Sequence, residues 1–350
     1  MTRDYLTTDI LESLLTPTIV QTLTTIHEYR GIARLQQADH PNSIDALQRV
    51  AKIQSVESSN RIEGICTSIP RLNELMLDKT TPHNRNEQEL MGYRDVLALI
   101  HEQHDFIPVT PGVILQLHRD LFARTGLAYG GRWKDSDNAI VELCEDGSRH
   151  TRFIPTPASE TPRAIERLCQ ALQDARKQNA FDPLLTAAAF TFDFVSIHPF
   201  NDGNGRMSRL LLLLLLYQSG YTVGKYISIE KAIEKSKDSY YETLKASSTG
   251  WQDGTNDYLP FVEYLLGVIA GVYRDFDGRL SAITHAEGGK SGRVKAQVKG
   301  MLGSFSKHEL QNALPDVSVI TIERTLKQLL DAGTIEKIGA GRGTRYVLRR

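Results

Sequence analysis

Through most of the first 280 positions, apolar residues recur at helical spacing, as at Ile165, Leu168 and Leu172 and again from Leu184 to Phe194, whereas β-branched alternation is scarce. The pattern predicts a mainly α-helical body. Its longest apolar run opens with seven leucines, Leu210–Leu216, directly after Arg209. That run is far shorter than the roughly 20 residues that span a bilayer, so it reads as a buried core helix and no membrane partner is expected. One segment breaks the helical rhythm. Residues 131–157 (GRWKDSDNAIVELCEDGSRHTRFIPTP) hold two short apolar pieces around an Asp146-Gly147 turn pair, a β-hairpin set on a helical scaffold.

A length of 350 residues gives roughly two domains at about 150 residues each. Near residue 286 the stretch AEGGKSGR reads as a helix-breaking linker or domain boundary. The chain is accordingly expected to hold an N-terminal helical region over 1–105, a central core over 106–285 and a smaller domain over 290–350. In that last domain three helical pieces (294–302, 307–313, 319–332) precede two short strands (334–338, 344–348) around the turn GAGRG, the order of a winged helix-turn-helix.

Composition is that of an ordinary globular protein, with 41% apolar and 24% charged residues, which excludes wholesale disorder or a fibrous repeat. Formal net charge is only -1, yet residues 290–350 carry 12 Lys plus Arg against 5 Asp plus Glu, so charge is segregated by domain. Cys66, Cys144 and Cys169 are far apart and form no CxxC pair, arguing for a reducing compartment and against a disulfide framework. The N-terminus lacks the basic start and long apolar run of a secretory signal, so a cytoplasmic location is expected.

The densest chemical signal is HPFNDGNGRMSR, residues 198–209, a polar glycine-rich loop running into the leucine-rich helix. Gly203 and Gly205 let the backbone take tight turns, so that successive N–H groups converge on a phosphate at the positive end of the helix. Arg206 and Arg209, three apart, place two guanidinium groups on about one face, where they clamp further phosphate oxygens. Asp202 offers a carboxylate to a magnesium ion shared with substrate phosphates. His198 stands where a general base would. By contrast, His101-Glu-Gln-His104 lacks the HExxH spacing and a third ligand, and reads as a helix face.

The run matches HPFxDGNGRxxR, and by it the sequence resembles the Fic family. The resemblance implies a helical Fic fold and transfer of AMP from Mg-ATP to a Ser, Thr or Tyr hydroxyl of a target protein, the protein itself included. It implies that His198 is the base and Asp202 the magnesium ligand. Asn204 and the loop amides, with Asn201, Gly203 and Gly205 among them, would cradle the α-phosphate, and Arg206 and Arg209 the outer phosphates. A glycine at 205, where a phosphorylating branch has lysine, favours AMP transfer.

Three further matches extend the resemblance. Ser58-Ser-Asn-Arg-Ile-Glu-Gly64 fits the family's inhibitory pattern, with Ser59 and Glu63 four apart on one face of a helix over about 55–64. Glu63 brought against Arg209 would neutralise the group meant for the γ-phosphate. The hairpin would be the flap that registers a target strand, with Asn138, Ala139, Ile140 and Val141 as its edge. Tyr240 and Tyr241 match a tyrosine-bearing helix near the nucleotide base, and core tyrosines account for them equally well.

In the C-terminal domain Thr321, Arg324, Lys327 and Gln328 are the polar positions expected on a recognition helix, with Arg342 and Arg345 on the wing. DNA contact and a docking or homodimer role stay open. Two rival functions remain beside AMP transfer: removal of AMP through a water oriented by Glu63, and nucleotide-sensing control of a DNA-binding protein.

Overall fold

The computed structural model describes residues 3–39, 41–143, 149–301, 304–315, 317–339, 341 and 344–349. It divides into two compact units, Met1–Asp277 and Gly278–Arg350. In chain order the first holds α1 (Thr8–Ser13), α2 (Pro17–Asp39), α3 (Pro41–Ile62), α4 (Ile69–Met76), α5 (Arg85–Gln103), α6 (Pro111–Phe122), strands β1 (Ile140–Leu143) and β2 (Arg149–Phe153), α7 (Thr161–Gln178), α8 (Pro183–Ile197), α9 (Asn204–Gln218), α10 (Ile229–Lys235) and α11 (Lys237–Ser248). The long helix α12 (Leu259–Gly300) runs into the second unit, where α13 (Lys307–Ala313), α14 (Val319–Asp331), β3 (Ile335–Ile338) and β4 (Arg345–Leu348) follow. The protein is thus mainly helical with two small antiparallel sheets.

Helices α8 and α9 form the centre. Both are apolar on nearly every face and buried along their lengths, the condition for a helix enclosed by others. Asp182 caps α8 by accepting from the Leu184 amide, and Pro183 takes the first position, where its missing N–H costs nothing. Around this pair, α3 packs on α5 and α10, α5 on α6, and α7 on α8. No helix of the described residues is long and apolar enough to cross a membrane.

The N-terminal segment is bolted into this core by charge. Asp193, on α8 and fully buried, accepts from Trp251 Nε1 at 2.9 Å and Tyr258 Oη at 3.0 Å, and Arg3 Nε stands 3.6 Å from it. Arg3 also donates to the Trp251 carbonyl, Asn256 and Tyr258. Burial pushes the Asp193 carboxyl up to about 6, against the pull of Arg3, Trp251 and Tyr258. Arg3→Ala strands a buried carboxylate and is expected to cost about 3 kcal/mol at pH 7.5, a fall in melting temperature of several degrees. The sign follows from the raised value: ionised Asp193 opposes folding above pH 6, whereas the protonated form needs no cation. The deficit should therefore shrink by pH 5, and calorimetric scans of both proteins at the two pH values check it. An equal deficit at both would mean that Arg3 acts by packing alone.

The hairpin expected within 131–157 is present as β1 and β2, while its expected Asp146-Gly147 turn and Cys144 lie outside the described residues. Its ladder carries a bulge: Ile140 faces Phe153, but the next residue, Val141, faces Thr151, so Arg152 has no partner across the ladder.

The expected helix-breaking stretch does break the helix: Gly289 is non-helical (φ 38°, ψ -153°), and helical backbone resumes after it to Gly300. The division between units falls earlier, at Asp277/Gly278, because Val294 and Val298 on the helix belong to the second unit's own core with Phe305, Leu310, Ile322 and Leu326. In that unit β3 and β4 pair from Ile335↔Leu348 to Ile338↔Arg345.

Candidate active site

The site forms where α8 hands over to α9. α8 ends on His198, whose φ of +53° is left-handed, and α9 begins after Gly203, whose φ of +83° makes it the turn residue. A Cβ on Gly203 would also stand 2.9 Å from the Phe122 ring. Between them the loop is braced from within by Asn204. Its Oδ1 accepts from the Phe200 amide at 2.9 Å and its Nδ2 donates to the Phe200 carbonyl at 2.8 Å. Both polar atoms of this buried side chain are thus spent on the loop, so Asn204 shapes the cradle rather than presenting its own amide to it.

His198 is half-buried, with Nδ1 3.3 Å from the Val195 carbonyl. A carbonyl can only accept, so Nδ1 carries the proton and the Nε2 lone pair is left to act. Burial drives the ring down to about 4; Lys134 and Arg152 push the same way, and the Val195 carbonyl and Glu63 oppose. The imidazole is neutral at pH 7, the state a base requires.

Three residues that spacing does not reveal position this loop. His118, fully buried, stacks on Phe200 with ring centroids 3.6 Å apart and planes within 1°. Its Nδ1 accepts from the Gly131 amide at 2.9 Å, so Nε2 donates to the Asp202 carbonyl at 3.0 Å. Burial lowers it to about 4, which keeps that tautomer neutral. Lys134 lies at the root of the hairpin, its Nζ 2.9 Å from Asn138 Oδ1 and 3.3 Å from the Ile197 carbonyl, and burial brings its ammonium down to about 8. Arg85, on α5, reaches Asp202 Oδ2 at 3.2 Å. Only Trp133-Lys134, polar and aromatic just ahead of the hairpin, carried any hint in the chain.

The charged groups are arranged in layers. Arg206 is fully buried, 2.6 Å from Glu89 and 5.0 Å above the Phe122 ring. Its Nε and Nη2 have no hydrogen-bond partner. Arg209 is fully engaged: Nη2 meets Glu63 Oε1 and the Ser59 carbonyl, and Nε meets Ser59 Oγ, each at 2.8 Å. Burial is the largest influence on the Arg209 guanidinium and lowers it, but Glu63, Tyr240 and Tyr93 together raise it by more, so it stays charged. The Glu63 carboxylate also lies so close to Gly205 that a Cβ there would overlap Oε1. Glu63 therefore sits as an anion at the positive end of α9.

Helix α3, which carries that glutamate, is firmly held. Ser58, Ser59 and Asn60 are fully buried, Lys237 Nζ caps the Ile62 carbonyl at 2.8 Å, and Ser55 donates to the buried Glu230 at 2.8 Å. Of the two tyrosines, Tyr240 is buried against Phe261 and Tyr264, a core residue, while Tyr241 is half-buried beneath Lys237. Asn201 is exposed and reaches Asp135 at 3.3 Å. On the expected target edge Ala139 and Val141 are exposed, Ile140 is partly covered, and Asn138 is engaged by Lys134.

Asp202 is the sole expected metal ligand, and no group of three or more His, Cys, Asp or Glu gathers among the described residues. Its half-exposed carboxylate also meets Tyr129 Oη at 3.2 Å and Arg206 Nη2 at 3.5 Å. A single carboxylate suits magnesium, which takes most of its ligands from water and substrate phosphate.

In the second unit Arg324, Lys327 and Gln328 are exposed on α14, whereas Thr321 is half-buried with its hydroxyl 2.9 Å from Ser318. Arg345 is occupied by Ser304 and Glu309, and Arg342 lies outside the described residues.

Comparison with known proteins agrees with this geometry, for residues 108–216 match the Fic/DOC family. That segment is a Fic domain. The protein adenylyltransferase Fic of Aedes aegypti is 25% identical over 235 residues, covering 65% of this chain and 42% of that protein. The protein of the same name in Drosophila grimshawi is 25% identical over 261 residues, 71% of this chain and 49% of its own. The chain thus spans less than half the length of these relatives. Crystal structures share the fold: a Fic family protein from Desulfovibrio desulfuricans G20 superposes with TM-score 0.63 at 24% identity, covering 96% of this chain and 97% of its own. A Fic domain-containing protein from Bacteroides thetaiotaomicron gives TM-score 0.63 at 22% identity over 74% and 97%. Besides the whole loop, the Fic domain includes His118 and Lys134, while Glu63 lies outside it.

Proposed function

We propose that this protein is a protein adenylyltransferase that moves AMP from Mg-ATP to a Ser, Thr or Tyr hydroxyl and is restrained by its own Glu63. The observation that carries the reading is a neutral His198 with Nε2 unclaimed, at the mouth of a glycine-turned helix N-terminus where the buried Arg206 has donors to spare. The names of the similar curated proteins point the same way.

In this mechanism Nε2 of His198 takes the proton of the target hydroxyl as its oxygen bonds to the α-phosphorus. The bond from that phosphorus to the bridging oxygen breaks, and pyrophosphate leaves. Loop amides and Arg206 meet the charge that builds on the phosphoryl oxygens. Asp202 would hold the magnesium, whose charge would offset that of the departing pyrophosphate. Arg209 would bind the outer phosphate once Glu63 gives it up. The reverse task, removing AMP, uses the same groups if Glu63, held by Arg209 through Oε1, orients a water with its other oxygen.

The second unit is read as a winged helix, with the exposed Arg324, Lys327 and Gln328 of α14 offered to DNA. A cytoplasmic setting suits its three well-separated cysteines.

Intact-mass measurement after incubation with Mg-ATP, together with labelling of a cell lysate by ATP carrying its label on the α-phosphate, tests the reading. One AMP unit on the protein or on a lysate protein is expected with Glu63→Gly, and none with Glu63→Gly combined with His198→Ala. No transfer in any form would overturn it.

A further inference from the structure

Four arginines bear on the site, and three have carboxylates: Arg85 meets Glu89 and Asp202, Arg206 meets Glu89, and Arg209 meets Glu63. The fourth is Arg152 in the hairpin, which has no acidic partner among the described residues. Its Nε is buried without a hydrogen bond, although the side chain as a whole is only half-buried. A buried Nε with an idle donor costs free energy unless an acceptor arrives.

Its placement is not incidental. Arg152 is the residue that the β1–β2 ladder skips, and bulges of this kind re-aim one side chain beside a site. Strand β2 lies against α11, the helix of Tyr240 and Tyr241, and the charge of Arg152 is felt by both His198 and Tyr241. Helix α11 in turn touches the site, since its Lys237 donates to the Ile62 carbonyl next to Glu63, so β2 and Arg152 lie on the side where the phosphates would enter.

We infer that Arg152 is a catalytic residue supplied by the hairpin, donating to the α-phosphate of the bound nucleotide. The assignment rests on the adenylyltransferase reading and deepens it: the flap that registers the target also senses whether nucleotide is present. A phosphate on Arg152 would link β2 to the bound nucleotide, so the hairpin is fastened only when there is AMP to transfer. Near a neutral imidazole the same charge disfavours premature protonation of the base.

The test uses the full chain carrying Glu63→Gly, with Arg152→Ala and Arg152→Lys added, and calorimetric titration with ATP, AMP and adenosine. Arg152→Ala should weaken ATP and AMP about tenfold or more and leave adenosine unchanged, while Arg152→Lys recovers part of the loss. Thermal unfolding midpoints report whether each variant is folded. If Arg152→Ala binds AMP as tightly as its parent, or loses adenosine in the same proportion, Arg152 is not a phosphate ligand. If the Glu63→Gly parent binds no ATP, the adenylyltransferase reading itself falls, and this assignment with it.

Discussion

Glu63→Gly should raise AMP incorporation at subsaturating ATP by at least about tenfold and tighten ATP binding by about tenfold to a hundredfold. The size follows from what the carboxylate now holds: one charge-assisted hydrogen bond to Arg209, of the order of 1.5–3 kcal/mol, at the N-terminus of α9 where a phosphate would otherwise go. The gain should come with a loss. Arg209 is almost completely buried, and without Glu63 it keeps only the Ser59 carbonyl and hydroxyl. The nucleotide-free variant should therefore melt below the wild type, whereas saturating ATP should lift the variant by several degrees and the wild type by less. Because Ser58, Ser59 and Asn60 are buried and Lys237 caps the helix end, α3 has no cheap way to withdraw, and the change stays local to the side chain. Equal ATP affinity and equal melting shifts in the two proteins would remove Glu63 as the restraint.

Local pattern made much of this architecture legible. The largely apolar segment 184–197 and the leucine run 210–216 read as buried helices because burial on nearly every face leaves no polar stripe, and the 198–209 loop stood out because twelve adjacent residues carry its chemistry. The hairpin was legible from its turn pair, but the bulge at Arg152 was not, since a one-residue slip leaves no mark on the alternation. The break at Gly289 inside AEGGKSGR was legible from its glycines, but the division of units at Asp277/Gly278 was not, since tertiary contacts and not local propensity set it. Arg3 and Asp193 lie 190 residues apart and His118 lies 84 from Asp202, so their partnerships had no signature in spacing. Asn204, given to the phosphate by its motif, spends its side chain on Phe200 instead.

His198→Ala in the Glu63→Gly background should lower AMP transfer by about a thousandfold, within the range a general base supplies, while ATP binding changes by less than about twofold. The two readouts separate because the imidazole's one hydrogen bond runs to the Val195 carbonyl, so its removal vacates the place of the attacking hydroxyl and leaves Arg206 and Arg209 untouched. Acidity makes a sharper prediction. With the ring held down to about 4 by burial, helped by Lys134 and Arg152 and opposed by the Val195 carbonyl and Glu63, kcat/KM should stay flat from pH 8 to pH 6 and fall only as pH approaches 4. Folding pulls in the same direction. His101, His118 and His198 are all buried below their ordinary range, so the stability they retain above pH 6.5 is lost as pH falls toward 4. Circular dichroism at each pH distinguishes the two losses: activity that declines while the fold is intact reports the base, and His101→Asn, away from the loop beside Tyr217, should shift the unfolding limb alone. An inflection in kcat/KM near pH 6.5 on a folded enzyme would mean that the imidazole titrates as a solvated ring, and the base would have to be sought elsewhere.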